Sequence, residues 1–556
     1  MANIKIPKAE VKKYLKLDGE ELADKINLMG TPVESITNDE IEIQIMPNRP
    51  DALSVQGFLR ILKAYTGKEP GLKKYKIHAP EKDFKVRIDS SVSEVRPFTA
   101  CAIVKNLQFN DAKIKEIIDI QEKLHATVGR NRKKVAIGIY PLEKITLPIK
   151  YEARKPSDIK FVPLESNEEM SASQILQRHP AGKEFARLLE NYSTFPVFVD
   201  AKGKILSMPP IINSNETGKI TEKTTEVFIE CSGFDLETLK KTLNIVVTTL
   251  ADLGGKVYAM ELDYGKQKEI TPDLKPEKMK LSLDNANKLL GLSLKEKDLQ
   301  ILLPKMGYDY KNGKVLIPAW RCDILHEVDL IEDLAIAYGY DNLVPEIPKV
   351  ATIGEESKES KIEGKIAEIL IGLGLIETSS YHLIMADEAE KAKLAEDAKI
   401  ELENSKTDYK LLRPNLLIPT LRILAENKDN EYPQRIFEIG TTFTKSKEIE
   451  ASKKLGSLGS ETGIKESENL VIALTPSHFT ELKQILDYLA KMLGMEYSLK
   501  ESKKPELIDG RTGEITVNNK SIGYLGEVSP ETLRAWNIKM PLAVLEISLD
   551  EIFGKF

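Results

Sequence analysis

No single hydrophobic core can accommodate a chain of 556 residues, and this limit shapes every other expectation about the sequence. About three to five domains of ordinary size are expected. Hydrophobic residues make up 41% of the chain and charged residues 30%, which is typical of folded domains and excludes a disordered chain. No apolar run approaches the roughly 18 residues that a membrane span needs, and the amino terminus has no signal-peptide core. We therefore expect a cytoplasmic protein built from several modules.

The charge balance and the cysteine content further restrict the kind of protein that this chain could be. The chain has 80 basic and 86 acidic residues, a net charge of −6, so any contact with nucleic acid must come from local basic patches. Its three cysteines, Cys101, Cys231 and Cys322, are scattered and cannot form a disulfide framework. This cysteine usage fits a reducing cytosol.

The order of strand-like and helix-like segments predicts an α+β chain of four modules. Predicted elements include a strand at Val135–Tyr140, a hairpin turned at Asn312-Gly313, and a long polar loop at Lys445–Asn469. A polar, proline-bearing stretch at 266–277 is typical of a linker. The predicted module limits are 1–95, 96–265, 269–346 and 350–556.

Four acidic residues cluster around one predicted helix, which continues into Ala335–Asn342. Asp329, Glu332 and Asp333 are three and four positions apart and share a helix face, while Asp323 precedes the helix and could fold back towards them. Carboxylates about 4 Å apart repel by roughly 1 kcal/mol in water and about 4 kcal/mol near a protein surface, a cost that a hard cation such as Mg²⁺ would remove. The same spacing equally allows a helix whose first turn is acidic for capping alone.

Two further segments carry candidate chemistry. The tract Arg130–Lys134 is basic and precedes a strand, so it either holds a phosphate backbone or forms a solvated loop without aromatic residues for stacking. The segment Pro209–Thr217 places amides and hydroxyls after a rigid apolar run, which suits a small polar pocket but also a plain turn.

These pieces, taken in order, resemble one family over nearly the whole chain. The family is the β subunit of phenylalanine–tRNA ligase in its archaeal and eukaryotic form. The segments that carry the resemblance are Met46–Ser54, Leu206–Asn213, Asp323–Asp333, Ala335–Asn342 and Arg435–Ile439.

The resemblance implies a set of modules and partners. It implies a B1-like module at 1–95, a B3/B4-like editing module at 96–265, a B5 module at 269–346, and a class II synthetase catalytic-like domain at 350–556. That last region lacks the phosphate-gripping arginine motifs of active class II enzymes, so activation would belong to an α subunit in an α2β2 heterotetramer. The α subunit would bind ATP and phenylalanine and charge tRNA(Phe).

The resemblance also assigns site residues. It makes Asp323, Asp329, Glu332 and Asp333 a Mg²⁺ site shared with the α subunit, and so favours the metal interpretation of the acidic helix. Because Mg²⁺ usually takes only one or two carboxylates directly, some of the four should act through water or meet basic residues of the partner.

For editing, the resemblance leads us to predict a pocket that discriminates tyrosine by its hydroxyl. Its predicted lining residues are Asn213, Asn215, Glu216, Thr217 and Tyr140. Tyr140-Pro141 stands where eukaryotic relatives have His-Asp, so editing is expected to be altered or weakened. The extra anticodon-binding module of bacterial relatives is not expected.

Two alternative functions remain open. The chain could be a self-standing module that binds tRNA and hydrolyses wrong esters without a partner. A weaker alternative is a Mg²⁺-dependent phosphotransferase centred on the acidic helix, although no phosphate-cradling loop accompanies that helix.

Overall fold

The structure, a computed structural model, consists of two compact units, Met1–Ile347 and Pro348–Phe556. It describes residues 2–17, 19–265, 267–348, 353–403, 405–446 and 463–553. None of the helices in these ranges is both long enough and apolar enough to cross a membrane.

The first unit begins with a small antiparallel sheet covered by helices. The alternating sequence of residues 40–45 points Ile41, Ile43 and Ile45 into the core. The order of the sheet is β1-β3-β2. The elements are β1 (Ala2–Pro7), α1 (Lys8–Lys12), α2 (Gly19–Asn27), β2 (Val33–Ile36), β3 (Glu40–Ile45) and α3 (Val55–Tyr65).

An 11-stranded sheet forms the middle of this unit. Its strands are β4 (Ile77–His78), β5 (Lys85–Ile88), β6 (Phe98–Lys105), β7 (Val135–Pro141), β8 (Ile149–Arg154), β11 (Phe195–Val199), β12 (Ile205–Met208), β13 (Ile212–Asn213), β14 (Val227–Gly233), β15 (Lys256–Asp263) and β16 (Lys268–Thr271). β9 (Lys160–Phe161) and β10 (Met170–Ser171) form a separate pair. The predicted strand Val135–Tyr140 is confirmed as β7.

The main path of this sheet runs β13-β12-β11-β8-β5-β15-β6-β14-β7, and β4 and β16 both pair with β15. The sheet therefore begins before residue 96, because β4 and β5 pair in parallel with β15. The predicted limits of the four modules stay a prediction.

Helices pack on this sheet through apolar stripes. Helix α4 (Asp111–Ala126) buries Ile117, Ile120 and Leu124, and the Asn110 side chain caps it by accepting from the Lys113 N–H at 3.0 Å. The shorter helices are α5 (Ala172–Arg178), α6 (Pro180–Phe185) and α7 (Asn215–Gly218), and the long helix is α8 (Leu236–Asp252). β14 lies between β6 and β7, so its backbone is paired along both edges, and all seven of its residues are buried.

The last part of the first unit is a compact module of three strands and three helices. Asn312 and Gly313 have φ of 52° and 70°, the left-handed pair that a two-residue hairpin needs, so the predicted hairpin is confirmed. The elements are β17 (Glu277–Lys280), α9 (Leu283–Leu290), α10 (Glu296–Lys305), β18 (Asp309–Lys311), β19 (Lys314–Ile317) and α11 (Glu327–Tyr338).

The second unit contains a seven-stranded sheet of order β20-β23-β24-β28-β27-β26-β25. All pairings are antiparallel except β20 with β23. The elements are α12 (Lys358–Gly372), β20 (Ile376–Glu377), β21 (Leu383–Met385), α13 (Ala386–Lys391), β22 (Tyr409–Leu412), α14 (Leu417–Glu426), β23 (Gln434–Lys445), β24 (Ile464–Thr475), α15 (Phe479–Met492), β25 (Ser498–Glu501), β26 (Leu507–Val517), β27 (Lys520–Val528), α16 (Pro530–Ala535), β28 (Ala543–Ser548) and α17 (Asp550–Phe553).

The predicted polar loop Lys445–Asn469 needs correction at its end. Residues 464–469 belong to β24 and pair with residues 440–445 of β23, so backbone pairing extends the long hairpin through this polar stretch. Residues 447–462 of the predicted loop lie outside the described ranges.

Candidate functional site

A cavity of about 640 Å³ lies in the first unit, between helix α4, strand β7 and the segment that follows β12. Its wall is largely aliphatic, with Ile117, Ile137, Ile139, Ile211 and Ile220 among the lining residues. The size falls within the usual range for small-molecule sites, and an apolar wall suits a ring or hydrocarbon group.

A carboxylate with an unsatisfied oxygen lies in this wall. Glu230, on β14, is 2% exposed, and its Oε2 has no hydrogen-bond partner. The Tyr140 hydroxyl lies 3.2 Å from Glu230 Oε1 and also 3.2 Å from Asn213 Oδ1. One hydroxyl proton cannot satisfy both acceptors at once. Burial raises the pKa of Glu230 to about 8, against the opposing influence of Arg96 and Tyr140.

A glycine makes this arrangement possible. A Cβ on Gly138 would lie 2.2 Å from the Tyr140 hydroxyl oxygen and 2.6 Å from Glu230 Oε1. Any other residue at 138 would therefore push the tyrosine and the carboxylate apart. The hydrogen-bonded group at the base of the cavity depends on this close approach.

The structure separates the five predicted pocket residues. Asn213 and Asn215 line the cavity, and Tyr140 lies behind Asn213 as a fully buried support. Glu216 is exposed and pairs with Lys204, and Thr217 is buried with its hydroxyl donating to the Leu206 carbonyl. Because α7 is a single helical turn, consecutive side chains leave it in different directions, and neither Glu216 nor Thr217 reaches the wall.

Two histidines also line the cavity, but both are fully engaged. His125 Nε2 accepts from the Ile137 N–H at 2.8 Å, and its Nδ1 lies 3.2 Å from Glu122. His179 Nδ1 accepts from the Ala181 N–H, and its Nε2 lies 3.1 Å from the Leu164 carbonyl. Burial lowers the pKa of His125, so this imidazole stays neutral. Neither ring has a nitrogen free to take a proton from a substrate.

The acidic helix has a different environment from the one that the sequence predicted. Asp323 accepts two hydrogen bonds of 2.7 Å from Arg321, and Asp333 accepts a third of 2.7 Å from the same guanidinium. Tyr308 also donates to Asp333. Arg321 is only 3% exposed, so this chain itself supplies the positive charge that we expected from a metal.

The other two carboxylates lie elsewhere on the same helix. Asp329 Oδ2 accepts the backbone N–H groups of Leu325 and His326 at 2.7 Å, and so caps the first turn of α11, while Glu332 is exposed to solvent. Within the described ranges, no group of three or more His, Cys, Asp or Glu side chains could hold a metal ion. The four predicted ligands therefore do not form one ligand set within this chain.

Sequence reasoning missed the two most informative side chains. Glu230 is visible as the one acidic residue in the otherwise apolar or small-residue strand Val227–Gly233, an unusual position for a carboxylate. Arg321 stands two residues before Asp323, and an arginine beside an acidic cluster is the natural counter-charge.

A buried ion pair occupies the second unit. Arg413 and Glu438 are each 1% exposed and lie 2.7 Å apart. Arg413 also donates to the Ser380 hydroxyl at 2.9 Å and to the Thr441 carbonyl at 2.8 Å. This guanidinium is therefore committed to its own domain and is not free to bind a phosphate.

Three family models match the chain. The model described as "Phenylalanyl tRNA synthetase beta chain CLM domain" matches residues 343–549. The "tRNA synthetase B5 domain" matches 279–340, and the "B3/4 domain" matches 84–246. The cavity lies in the part of the chain that the B3/4 model covers, and the acidic helix lies in the B5 match.

Curated relatives and a solved structure agree with these models. The phenylalanine–tRNA ligase beta subunit of Thermococcus sibiricus is 38% identical over 518 residues, which cover 92% of this chain and 90% of the relative. That of Archaeoglobus fulgidus is 35% identical over 555 residues, covering 98% and 97%. A crystal structure of an N-terminal fragment of the phenylalanyl-tRNA synthetase beta subunit from Pyrococcus horikoshii matches with a TM-score of 0.58 and 35% identity, over 61% of this chain and 99% of the fragment.

These modules define a subunit of an aminoacyl-tRNA synthetase. The chain belongs to the family of phenylalanine–tRNA ligase beta subunits. The predicted family and the predicted α+β fold class, with B3/B4-like, B5 and catalytic-like modules, are both confirmed.

The raised pKa of Glu230 makes stability depend on pH. The folded state keeps this carboxyl protonated up to about pH 8, whereas the unfolded chain releases the proton above its ordinary value of 4.5. Since the folded state binds more protons in that window, this group lowers the free energy of unfolding as pH rises through it. Glu230→Gln removes the titration, so its stability relative to the wild type should be greater near pH 8 than near pH 5.

Urea unfolding of both proteins at the two pH values measures this effect. Glu226→Gln, a half-buried carboxylate just before the same strand, is the matched control. A pH-independent difference between wild type and Glu230→Gln would contradict the assignment.

Proposed function

We propose that this chain is the non-activating β subunit of a cytoplasmic phenylalanine–tRNA ligase. An α subunit would bind ATP and phenylalanine and charge tRNA(Phe), and the two subunits would form an α2β2 heterotetramer. Family membership supports the assignment of the enzyme. The missing class II arginine motifs and the internally paired Arg413 support the view that the catalytic-like unit serves in assembly.

We further propose that the 640 Å³ cavity edits tRNA that carries tyrosine. The unpaired Glu230 Oε2 is the observation that carries this proposal. A tyrosine side chain seated against the aliphatic wall could donate its phenol hydrogen to that oxygen, whereas phenylalanine would leave the oxygen unsatisfied. A site with a buried polar group discriminates strongly between such a pair because the unmatched ligand leaves that group unpaired.

The cavity is built to hold and orient an ester rather than to attack it. Both histidines of the wall are engaged, and the three cysteines of the chain do not line it. Water would add to the ester carbonyl, and the bond to the ribose oxygen would break, releasing tyrosine and tRNA with a free hydroxyl. Asn213 and Asn215, with amides in the wall, would position the amino acid.

The Mg²⁺ site remains a proposal, now reduced to Asp329 and Glu332. Asp323 and Asp333 already accept hydrogen bonds from Arg321, and their side chains are only 8% and 7% exposed. Mg²⁺ retains several waters and takes one or two carboxylates directly, so the exposed Glu332 and the free oxygen of Asp329 could suffice if the α subunit contributes the remainder.

One observation favours the self-standing editing module as a second candidate. Every described residue that lines the cavity lies between positions 114 and 230, so a single module supplies this wall. Hydrolysis of tyrosyl-tRNA could therefore occur in the free chain even though activation could not.

Activation should require the α subunit. The purified chain alone should show no ATP–pyrophosphate exchange dependent on phenylalanine, and the co-purified α–β complex should show it. The same two preparations, tested for tyrosyl-tRNA deacylation, decide whether editing is autonomous. Exchange by the isolated chain would defeat the assignment.

Editing should depend on Glu230. Glu230→Ala should lower kcat/KM for tyrosyl-tRNA deacylation about 2- to 10-fold near neutral pH, because a hydrogen bond to this protonated carboxyl contributes about 0.5–1.5 kcal/mol. Hydrolysis of phenylalanyl-tRNA should change much less, so discrimination falls. Glu226→Ala serves as the control. Equal losses for both esters would show that Glu230 supports the fold of the pocket and does not read the hydroxyl.

If the metal site contains only Asp329 and Glu332, these two carboxylates should determine how much Mg²⁺ the complex retains. In the α–β complex, Asp329→Asn/Glu332→Gln should lower the Mg²⁺ retained after gel filtration, measured by mass spectrometry of the eluted metal. Glu21→Gln/Asp24→Asn, an exposed pair with the same spacing on α2, should not change it. Unchanged metal content in the first variant would leave capping as the whole role of Asp329.

A further inference from the structure

The basic tract after helix α4 adopts an unusual backbone conformation. Three consecutive non-glycine residues, Arg130, Asn131 and Arg132, have φ of 47°, 53° and 65°. L-residues other than glycine rarely adopt this left-handed region, and three in succession form a tight turn that costs backbone energy. Such a turn persists only where surrounding contacts hold it.

Those contacts come from Arg132 and join the turn to the cavity. The Arg132 side chain lines the cavity, donates to the Ile211 carbonyl at 2.8 Å and pairs with Glu122 at 3.0 Å. Its guanidinium also lies 4.3 Å from the centre of the Phe185 ring. Arg96 donates to its backbone carbonyl at 3.3 Å. The turn is therefore held rigidly beside the cavity wall.

Exposed cations lie next to Arg132 in the turn and in the cavity wall. Arg130 and Lys133 are exposed, and so is Lys219, which lines the cavity from another segment. Over the described part of the chain, none of these three cations has an ion-pair partner. Glu165, exposed in the same wall, adds one negative charge that would direct an anion towards the side of the turn.

We propose that the turn Gly129–Lys134, together with Lys219, binds the sugar–phosphate backbone of the single-stranded 3′ end of the tRNA. This inference rests on the proposed editing function, since it places the RNA whose terminal ester enters the cavity. The tract itself has no aromatic residue on which a base could stack, so the contact is with phosphates and is independent of base sequence. The strained backbone of the turn holds the cations beside the cavity before the RNA binds.

The test is the salt dependence of tRNA binding by the α–β complex. Arg130→Gln/Lys133→Gln removes two cations and leaves Arg132 in place. Each single-strand phosphate contact contributes about 0.7 to the slope of log affinity against log salt, so the slope should fall by about 1.4 and the affinity about tenfold near 0.2 M salt. Fluorescence anisotropy with uncharged tRNA(Phe) measures both quantities.

Three comparisons make the result decisive. Lys82→Ala/Lys202→Ala removes two exposed lysines of the same unit that do not line the cavity, and it should leave the slope unchanged. A tRNA that lacks its single-stranded 3′ tail should bind wild type and the Arg130/Lys133 variant equally. The charge-reversed variant Arg130→Glu/Lys133→Glu should show a larger loss, at an unaltered thermal unfolding midpoint.

The proposal is overturned if the Arg130/Lys133 variant keeps the wild-type slope, or if its loss persists with the truncated tRNA. Because this assay needs no hydrolysis, it is separate from the test of editing. A wild-type complex that does not deacylate tyrosyl-tRNA would refute the proposed function of the pocket. The slope of tRNA affinity against salt would still show whether the turn binds RNA.

Discussion

The structure of the first unit depends on the buried ion pairs around Arg321. This guanidinium holds Asp323 and Asp333 at 2.7 Å, and Arg49 of the amino-terminal module lies 4.0 Å from Asp323. Beside them Arg60 of α3 pairs with Asp252 of α8 at 3.4 Å. Three modules meet at these charges. Removing one partner of a buried pair costs about 3–5 kcal/mol, because the other charge is left unpaired, so the junction keeps the modules in one arrangement.

The carboxylates of the acidic helix and the carboxyl group of Glu230 in the cavity wall have opposite hydrogen-bonding environments. At the acidic helix, Arg321 and backbone N–H groups satisfy the carboxylates, which gives rigidity. In the cavity wall, Glu230 keeps one oxygen without a partner. An unsatisfied buried polar group calls for an explanation, and a ligand that completes it is the one on which the proposed pocket function rests. The two environments therefore differ in whether the protein itself satisfies its carboxyl oxygens.

Sequence predicted much of the architecture but less of the chemistry. The apolar run at residues 135–140 predicted β7 correctly, and the Asn312-Gly313 pair predicted a hairpin correctly, because both signals are local. Segment matches indicated the family correctly. The direction of side chains in the short helix α7 and the engagement of Asp323 by Arg321 depend on rotation and packing, which spacing does not encode. For the same reason, spacing did not identify Glu230. Its burial becomes apparent only when β14 is placed between β6 and β7 in the sheet.

The buried pair of Arg413 and Glu438 has a consequence for how the second unit can change. Gly440 leaves no room beside it, since a Cβ there would lie 2.5 Å from Arg413 Nη2. A phosphate could reach this guanidinium only if its present hydrogen bonds to Glu438, Ser380 and Thr441 were broken. Freeing Arg413 would strand Glu438 in the core, and replacing both would require refilling the space that they occupy. Any change at this buried pair would therefore need several simultaneous substitutions.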